Sequence, residues 1–306
     1  MLIDILQTLV SGVLVGATYA LMCVGLGLIF GVMRVVNFAQ GEFVMLGMYA
    51  ALFLATTFGL QAAFGIAPGA VVAGLVAGPV VFACAWVLHR TLVGRVTGQI
   101  AIGTRDPHSS QVVMTLGISL VLQNGAMILF GSRPRSVSSP LSSDSFEIGE
   151  LLVNKGQLVA FAVAIVVVVA LGTWLARSAS GKSLRAASDN ARAALYVGID
   201  VVRAHRLSFA IGAAISAVAG GLMASLQAFQ PYVGIDYVIV MYAGVVLGGL
   251  GSIRGAFVGG MVIGIVQQMA TLVLPQQLQN AVIFVVFLLV ILLRPQGIFG
   301  RVAERI

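Results

Sequence analysis

The 306-residue chain is 59% hydrophobic and only 9% charged, with a mean hydropathy of +1.06, where a soluble domain carries about 25% charge. Seventeen Lys and Arg against ten Asp and Glu leave a net charge of +7. Charge this sparse excludes a nucleic-acid-binding domain, a disordered protein and a soluble enzyme. Apolar stretches that run from end to end exclude a single membrane anchor as well.

A helix needs about 20 mostly apolar residues to cross the hydrocarbon core. The first such run covers residues 5–30. Its approach contains Asp4 and no Lys or Arg, so it reads as a retained span rather than a signal peptide. Further runs cover 43–58, 66–88, 112–130, 158–176, 207–226, 238–250, 256–274 and 278–293. The second, seventh and ninth are short and fit tilted, broken or re-entrant segments. The expectation is therefore an all-α polytopic membrane protein with eight to ten membrane segments, nine as the working count, and a single transmembrane domain over 1–306.

Between the first two runs the sequence GLGLIFGVMRVVNFAQGEF (25–43) places Arg34, Asn37, Gln40 and Glu42 within nine positions of an otherwise apolar stretch. A polar interruption there must face protein, water or the interface, because lipid would not solvate it. Two readings stand: a short cytoplasmic turn, or a broken helix that borders a translocation path. The segment 131–157 is rich in Ser and Pro and then acidic through Asp144, Glu147 and Glu150. The segment 177–206 is basic. Within it Ser188 or Asp189 can cap a short helix running to Val197, with Gly198 placed to end it. That helix, with Asn190, Arg192, Leu195 and Tyr196, reads either as an interfacial connector or as a surface that docks a cytoplasmic partner. Glycines four apart (Gly27 and Gly31; Gly251, Gly255 and Gly259) suit close helix packing.

Sidedness follows from the basic residues. With nine spans, one set of loops holds 14 of the Lys and Arg, and the opposite set holds only Arg133, Arg135 and Lys155. The rich side is expected to be cytoplasmic. This places the N-terminus and 131–157 outside, and 177–206 and the C-terminus inside.

Chemistry on a substrate is not expected. Ser180-Gly181-Lys182-Ser183 lacks the first glycine of a phosphate loop, since Ala176 occupies that position, and no strand precedes it. His89, His108 and His205 stand singly in basic interfacial stretches, without metal spacing. Cys23 and Cys84 read as small buried hydrophobes. No cofactor, metal or catalytic residue is expected of this chain, and any ATP would be used by partner subunits.

Residues 19–49, the stretch 187–199, the glycine-rich GVVLGGLGSIRGAFVGG (244–260) and the tail LRPQGIFG (293–300) resemble, in order, the branched-chain amino-acid ABC transporter permeases of the LivH type. The resemblance implies a bacterial inner-membrane importer subunit without an ATPase motif of its own. The implied partners are a second homologous permease chain (a heterodimer, with a homodimer as the alternative), two cytoplasmic ATPases and a periplasmic substrate-binding protein. Similar permeases import urea, short amides or other amino acids, which leaves the substrate open. A self-sufficient carrier or channel is the runner-up class. On the leading reading Arg34, Asn37, Gln40 and Glu42 are path candidates, and Ser188, Asp189, Asn190, Arg192, Leu195, Tyr196 and Gly198 are coupling candidates.

Overall fold

A computed structural model describes residues 2–95, 107–275, 278–294 and 296–300. Arg105, Asp106, Arg301, Glu304 and Arg305, counted above in the charge pattern, lie outside them. Thirteen α-helices appear among the described residues. In chain order they are α1 (Leu2–Met33), α2 (Gln40–Thr56), α3 (Leu60–Phe64), α4 (Ile66–Leu88, extended by a π turn over His89–Val93), α5 (Pro107–Phe130) and α6 (Pro140–Ser143). After the antiparallel hairpin β1 (Ser145–Ile148) and β2 (Leu151–Asn154) come α7 (Lys155–Arg177), α8 (Ala179–Asp189), α9 (Ala191–Tyr196), α10 (Val201–Met223), α11 (Val233–Gly248), α12 (Ile253–Ala270) and α13 (Gln279–Leu293).

Six of these, α1, α4, α5, α7, α10 and α12, are long and apolar enough to cross a membrane. The chain is a multi-pass all-α membrane protein. The other apolar helices, α2, α11 and α13, have 17, 16 and 15 residues. At about 1.5 Å per residue they reach only about 22–26 Å, short of a hydrocarbon core of about 30 Å, and non-helical backbone must complete any crossing.

Helix starts follow local chemistry. Asn154, Ser178, Asn190, Asp200 and Ser252 each accept a hydrogen bond from the backbone N–H three residues on, at the heads of α7, α8, α9, α10 and α12. A side-chain acceptor there satisfies a backbone donor that has no partner within the helix.

At the centre stands α1, enclosed chiefly by α10 and α12, with α2, α4 and α11 packed around them. Residues Ala20 to Val24 are 0% exposed, so the middle of the bundle is a packed helix rather than a pore. Small residues allow this enclosure: a Cβ on Gly264 would overlap the backbone of Gly16. By contrast α5, α7 and α13 turn Val121, Ile128, Val166, Val169 and Leu288 outward, the composition of a lipid-facing rim. Cys23 is buried, but Cys84, expected inside, is exposed on α4.

The two ends of α1 lie against different parts of the chain. Near its start, Gln7 Nε2 donates to the Leu152 carbonyl at 2.6 Å and Gln7 Oε1 accepts from the Leu152 N–H at 2.9 Å. Near its finish, the Ser188 hydroxyl donates to the Gly31 carbonyl at 2.6 Å. Twenty-four residues of helix separate these contacts by about 36 Å, which exceeds the hydrocarbon thickness. One end of the molecule is therefore a hairpin end and the other a basic end. The tail joins the basic end through the N–H groups of Ile298 and Phe299, which donate to Leu247 and Gly248.

The segment 131–157 folds onto the hairpin end. Arg135 forms a bridge with Phe229, Gln61 donates to the Ser138 carbonyl, and Lys155 pairs with Asp144 at 3.2 Å.

Candidate functional site

Helix α1 stops at Met33 because Arg34 takes a left-handed conformation, φ 54°, alone among the described non-glycine residues. That turn sends residues 35–39 back into the bundle as non-helical backbone, and α2 starts from within it. Asn37, Gln40 and Glu42 are 1%, 0% and 1% exposed. The apolar run legible in the sequence starts at Phe43, with the three polar residues before it in either a turn or a broken helix; the structure buries all three and starts α2 at Gln40.

Burial of irregular backbone and polar side chains requires partners, and the chain supplies most of them. Asn37 Oδ1 accepts from the Ala39 N–H, and Asn37 Nδ2 donates to Gln40 Oε1 at 3.0 Å. Gln40 Nε2 donates to the Gly212 carbonyl at 3.1 Å and to Ser216 Oγ at 2.7 Å, both in the middle of α10. The Phe38 N–H donates to Thr115 Oγ1, and Ser119 Oγ donates to Glu42 Oε1 at 3.1 Å. Glu42 Oε2 has no hydrogen-bond partner. Gly41 lets α2 meet α11, since a Cβ there would overlap the Gly234 carbonyl.

Sequence reading missed the other half of this seam. Gln111, Thr115, Ser119 and Gln123 recur every four residues along α5 and share one helix face. Gln111, Thr115 and Gln123 are buried despite the outward apolar character of the helix. A polar stripe inside an apolar run was the available signal.

Arg34 does not join this network. Its guanidinium donates to the Ser188 carbonyl at 3.3 Å. Arg34, Ser188, Asp189, Gly31, Gly251 and Phe299 all border a cavity of about 830 Å³ at the basic end.

Segment 177–200 forms an elbow. Helix α8 ends at Asp189, and Asn190, rather than Ser188 or Asp189, caps the six-residue α9 by accepting from the Ala193 N–H. Gly198, φ 84°, follows the end of α9. Ala194 is buried, whereas Leu195, Tyr196 (91% exposed) and Val197 project outward, and Arg192 is also exposed. Among the glycines singled out from the sequence, Gly27 faces Ala256, Gly31 faces Gly251, Gly255 faces Gly248, and Gly259 faces Gly244.

His89, read as an anchoring or solvated residue, is instead fully buried, with its ring 5.5 Å from that of Phe209 and neither nitrogen hydrogen-bonded.

Comparison with known proteins adds a family to this geometry. Residues 8–292 match the family described as the branched-chain amino acid transport system permease component. The chain is 31% identical to the Escherichia coli K12 high-affinity branched-chain amino acid transport system permease protein LivH, over 97% of this chain and 96% of that protein. It is 31% identical to BraD of Pseudomonas aeruginosa, a permease of the same description, with the same coverage. A probable LivH of Methanocaldococcus jannaschii is 28% identical over 92% of this chain and 88% of its own length. No solved structure matches.

Proposed function

We infer that this chain, which belongs to the branched-chain amino acid transport permease family, lines an import path for branched-chain amino acids in the plasma membrane and is driven by ATP hydrolysis on partner subunits. One observation carries the coupling part of this reading. The Ser188–Gly31 hydrogen bond ties the α8–α9 elbow to the last turn of α1, and α1 leads directly into the segment holding Asn37, Gln40 and Glu42. A push on the elbow reaches the Gln40 amide, and through it the middle of α10.

In this reading the basic end is cytoplasmic, which the distribution of Lys and Arg supports, and the hairpin end faces outward. The exposed Leu195, Tyr196 and Val197 dock on an ATPase, with Asp189 and Arg192 orienting the contact. The packed centre of α1 supports a path that runs along the surface of this chain, completed by a second permease chain, rather than through its core. A binding protein delivers the amino acid to the hairpin end. The chain itself binds no cofactor.

Reconstitution with the co-purifying subunits and the binding protein tests this. ATP-dependent uptake of labelled leucine, against urea and a sugar, is the expected result. Uptake of urea alone would move the substrate to the amide branch, and ATP-independent uptake by the isolated chain would overturn the coupled mechanism.

A further inference from the structure

A second cluster of polar side chains lies at the hairpin end, apart from the seam built around Gln40. Gln157 from α7, Gln227 from the turn before α11, Gln267 and Gln268 from α12, and Gln279 from α13 border one cavity of about 340 Å³. Tyr19 borders it as well, with the Gln267 amide beside its hydroxyl. That volume falls at the small end of the range for small-molecule pockets, about 300–1,000 Å³. Five amides from four separate elements converge on this one cavity. Helix packing alone does not call for this, because polar groups in membrane helices are costly unless they face a cavity or one another.

We propose that this glutamine-lined chamber is a station for a small zwitterionic amino acid on the outward side of the permease, resting on the reading that the chain lines an amino-acid path. The chemistry of the lining selects the class. Each amide offers an acceptor and two donors, so a ring of them solvates an ammonium and a carboxylate at once. Among the described residues, no Lys, Arg, Asp or Glu borders the cavity. A ligand with net charge would therefore enter without a counter-ion, a costly burial, whereas a zwitterion has none to compensate. Val15, Met223 and Leu226 form an apolar wall that fits an aliphatic side chain.

The chamber has a floor. Tyr19 and Tyr237 meet edge to face, with centroids 6.2 Å apart, and the Gln227 amide donates to the Tyr237 hydroxyl. Beyond Tyr19 come the fully buried residues from Ala20 onward. The chamber is thus a stop and not a tunnel, and its occupant leaves sideways, toward whatever chain completes the path.

The test uses the full reconstituted complex. In a Cys84→Ser background, Gln268→Cys is treated with a membrane-impermeant thiol reagent from the hairpin side, with leucine, lysine or glutamate present. Slower labelling with leucine but not with lysine or glutamate is expected. The double variant Gln267→Leu, Gln268→Leu should lose about tenfold in leucine uptake at saturating binding protein, while its membrane yield and ATPase retention hold. The variant Gln267→Asn, Gln268→Asn should recover most of that uptake. Labelling indifferent to leucine, together with wild-type uptake in the leucine double variant, overturns the chamber and leaves the amino-acid path standing. A wild-type complex that imports no zwitterionic amino acid overturns both.

Discussion

The Ser188 hydroxyl closes on the Gly31 carbonyl at 2.6 Å, joining the last turn of α1 to a helix 157 positions away in sequence. Carbonyls at a helix end have no partner in their own helix, so this bond both finishes α1 and fastens the elbow to it. A net hydrogen bond is worth about 1 kcal/mol, close to a fivefold change in an equilibrium. Ser188→Ala is expected to lower amino acid uptake per ATP hydrolysed by about that factor with little change in membrane yield. Uptake and phosphate release measured on the same proteoliposomes check it; an unchanged ratio would free the elbow from α1.

At the elbow, Tyr196 is the most exposed aromatic side chain among the described residues. Loss of an aromatic from the centre of an interface costs about 2 kcal/mol or more, which is over tenfold in affinity. Tyr196→Ala and Leu195→Asp should leave the permease inserted, weaken ATPase retention at least tenfold and abolish uptake. Co-purification beside a transport assay decides it, and full retention with wild-type uptake would remove this surface from the mechanism.

Glu42→Leu and Glu42→Gln separate packing from chemistry. Leucine deprives the Ser119 hydroxyl of its acceptor and should reduce uptake severalfold with insertion intact. Glutamine keeps an oxygen at that position and should retain most of the uptake. Equal loss in both variants would show that the second carboxylate oxygen, rather than the Ser119 contact, is what matters.

Gln40→Leu removes two donors into α10 at once and leaves the Gly212 carbonyl without its side-chain partner, at about 1–3 kcal/mol. A detergent-solubilised thermal melt should shift downward by several degrees. Ser216→Ala, which removes one partner only, should shift it less. A Gln40→Leu melt equal to wild type would detach this residue from the fold.

Ser143→Cys and Ser183→Cys should label from opposite faces of intact membranes, the first from outside and the second from the cytoplasm. Labelling of both from one face would overturn the sidedness.

The nine apolar helices among the described residues were legible because hydropathy is a sum over many residues, and it even marked the three short ones. The dip at residues 35–39 was half legible. Asn37, Gln40 and Glu42 were visible as intruders, but their burial depends on Gly212, Ser216 and Ser119, which lie about 80 to 175 positions later in the chain. No local pattern reports such partners. The elbow was misread by one or two residues because Ser188, Asp189 and Asn190 are all competent caps, and tertiary contacts engaged Ser188 with Gly31 instead. Gln267, Gln268 and Gln279 were absorbed into their apolar runs, since one or two amides scarcely alter a span's average. Their meaning lies in convergence, which only the fold displays.

The central position of α1 also sets a problem of timing. It leaves the ribosome well before α12, against which its glycine face packs and which begins 220 residues after α1 ends. At about 5–20 residues per second, the interval is roughly 10 to 45 s. For that time the face later covered by α12 must rest against lipid or an insertion factor, and the face later covered by α10 for a shorter one. Biogenesis of this protein is therefore expected to depend on whatever shelters α1 until α10 and α12 arrive.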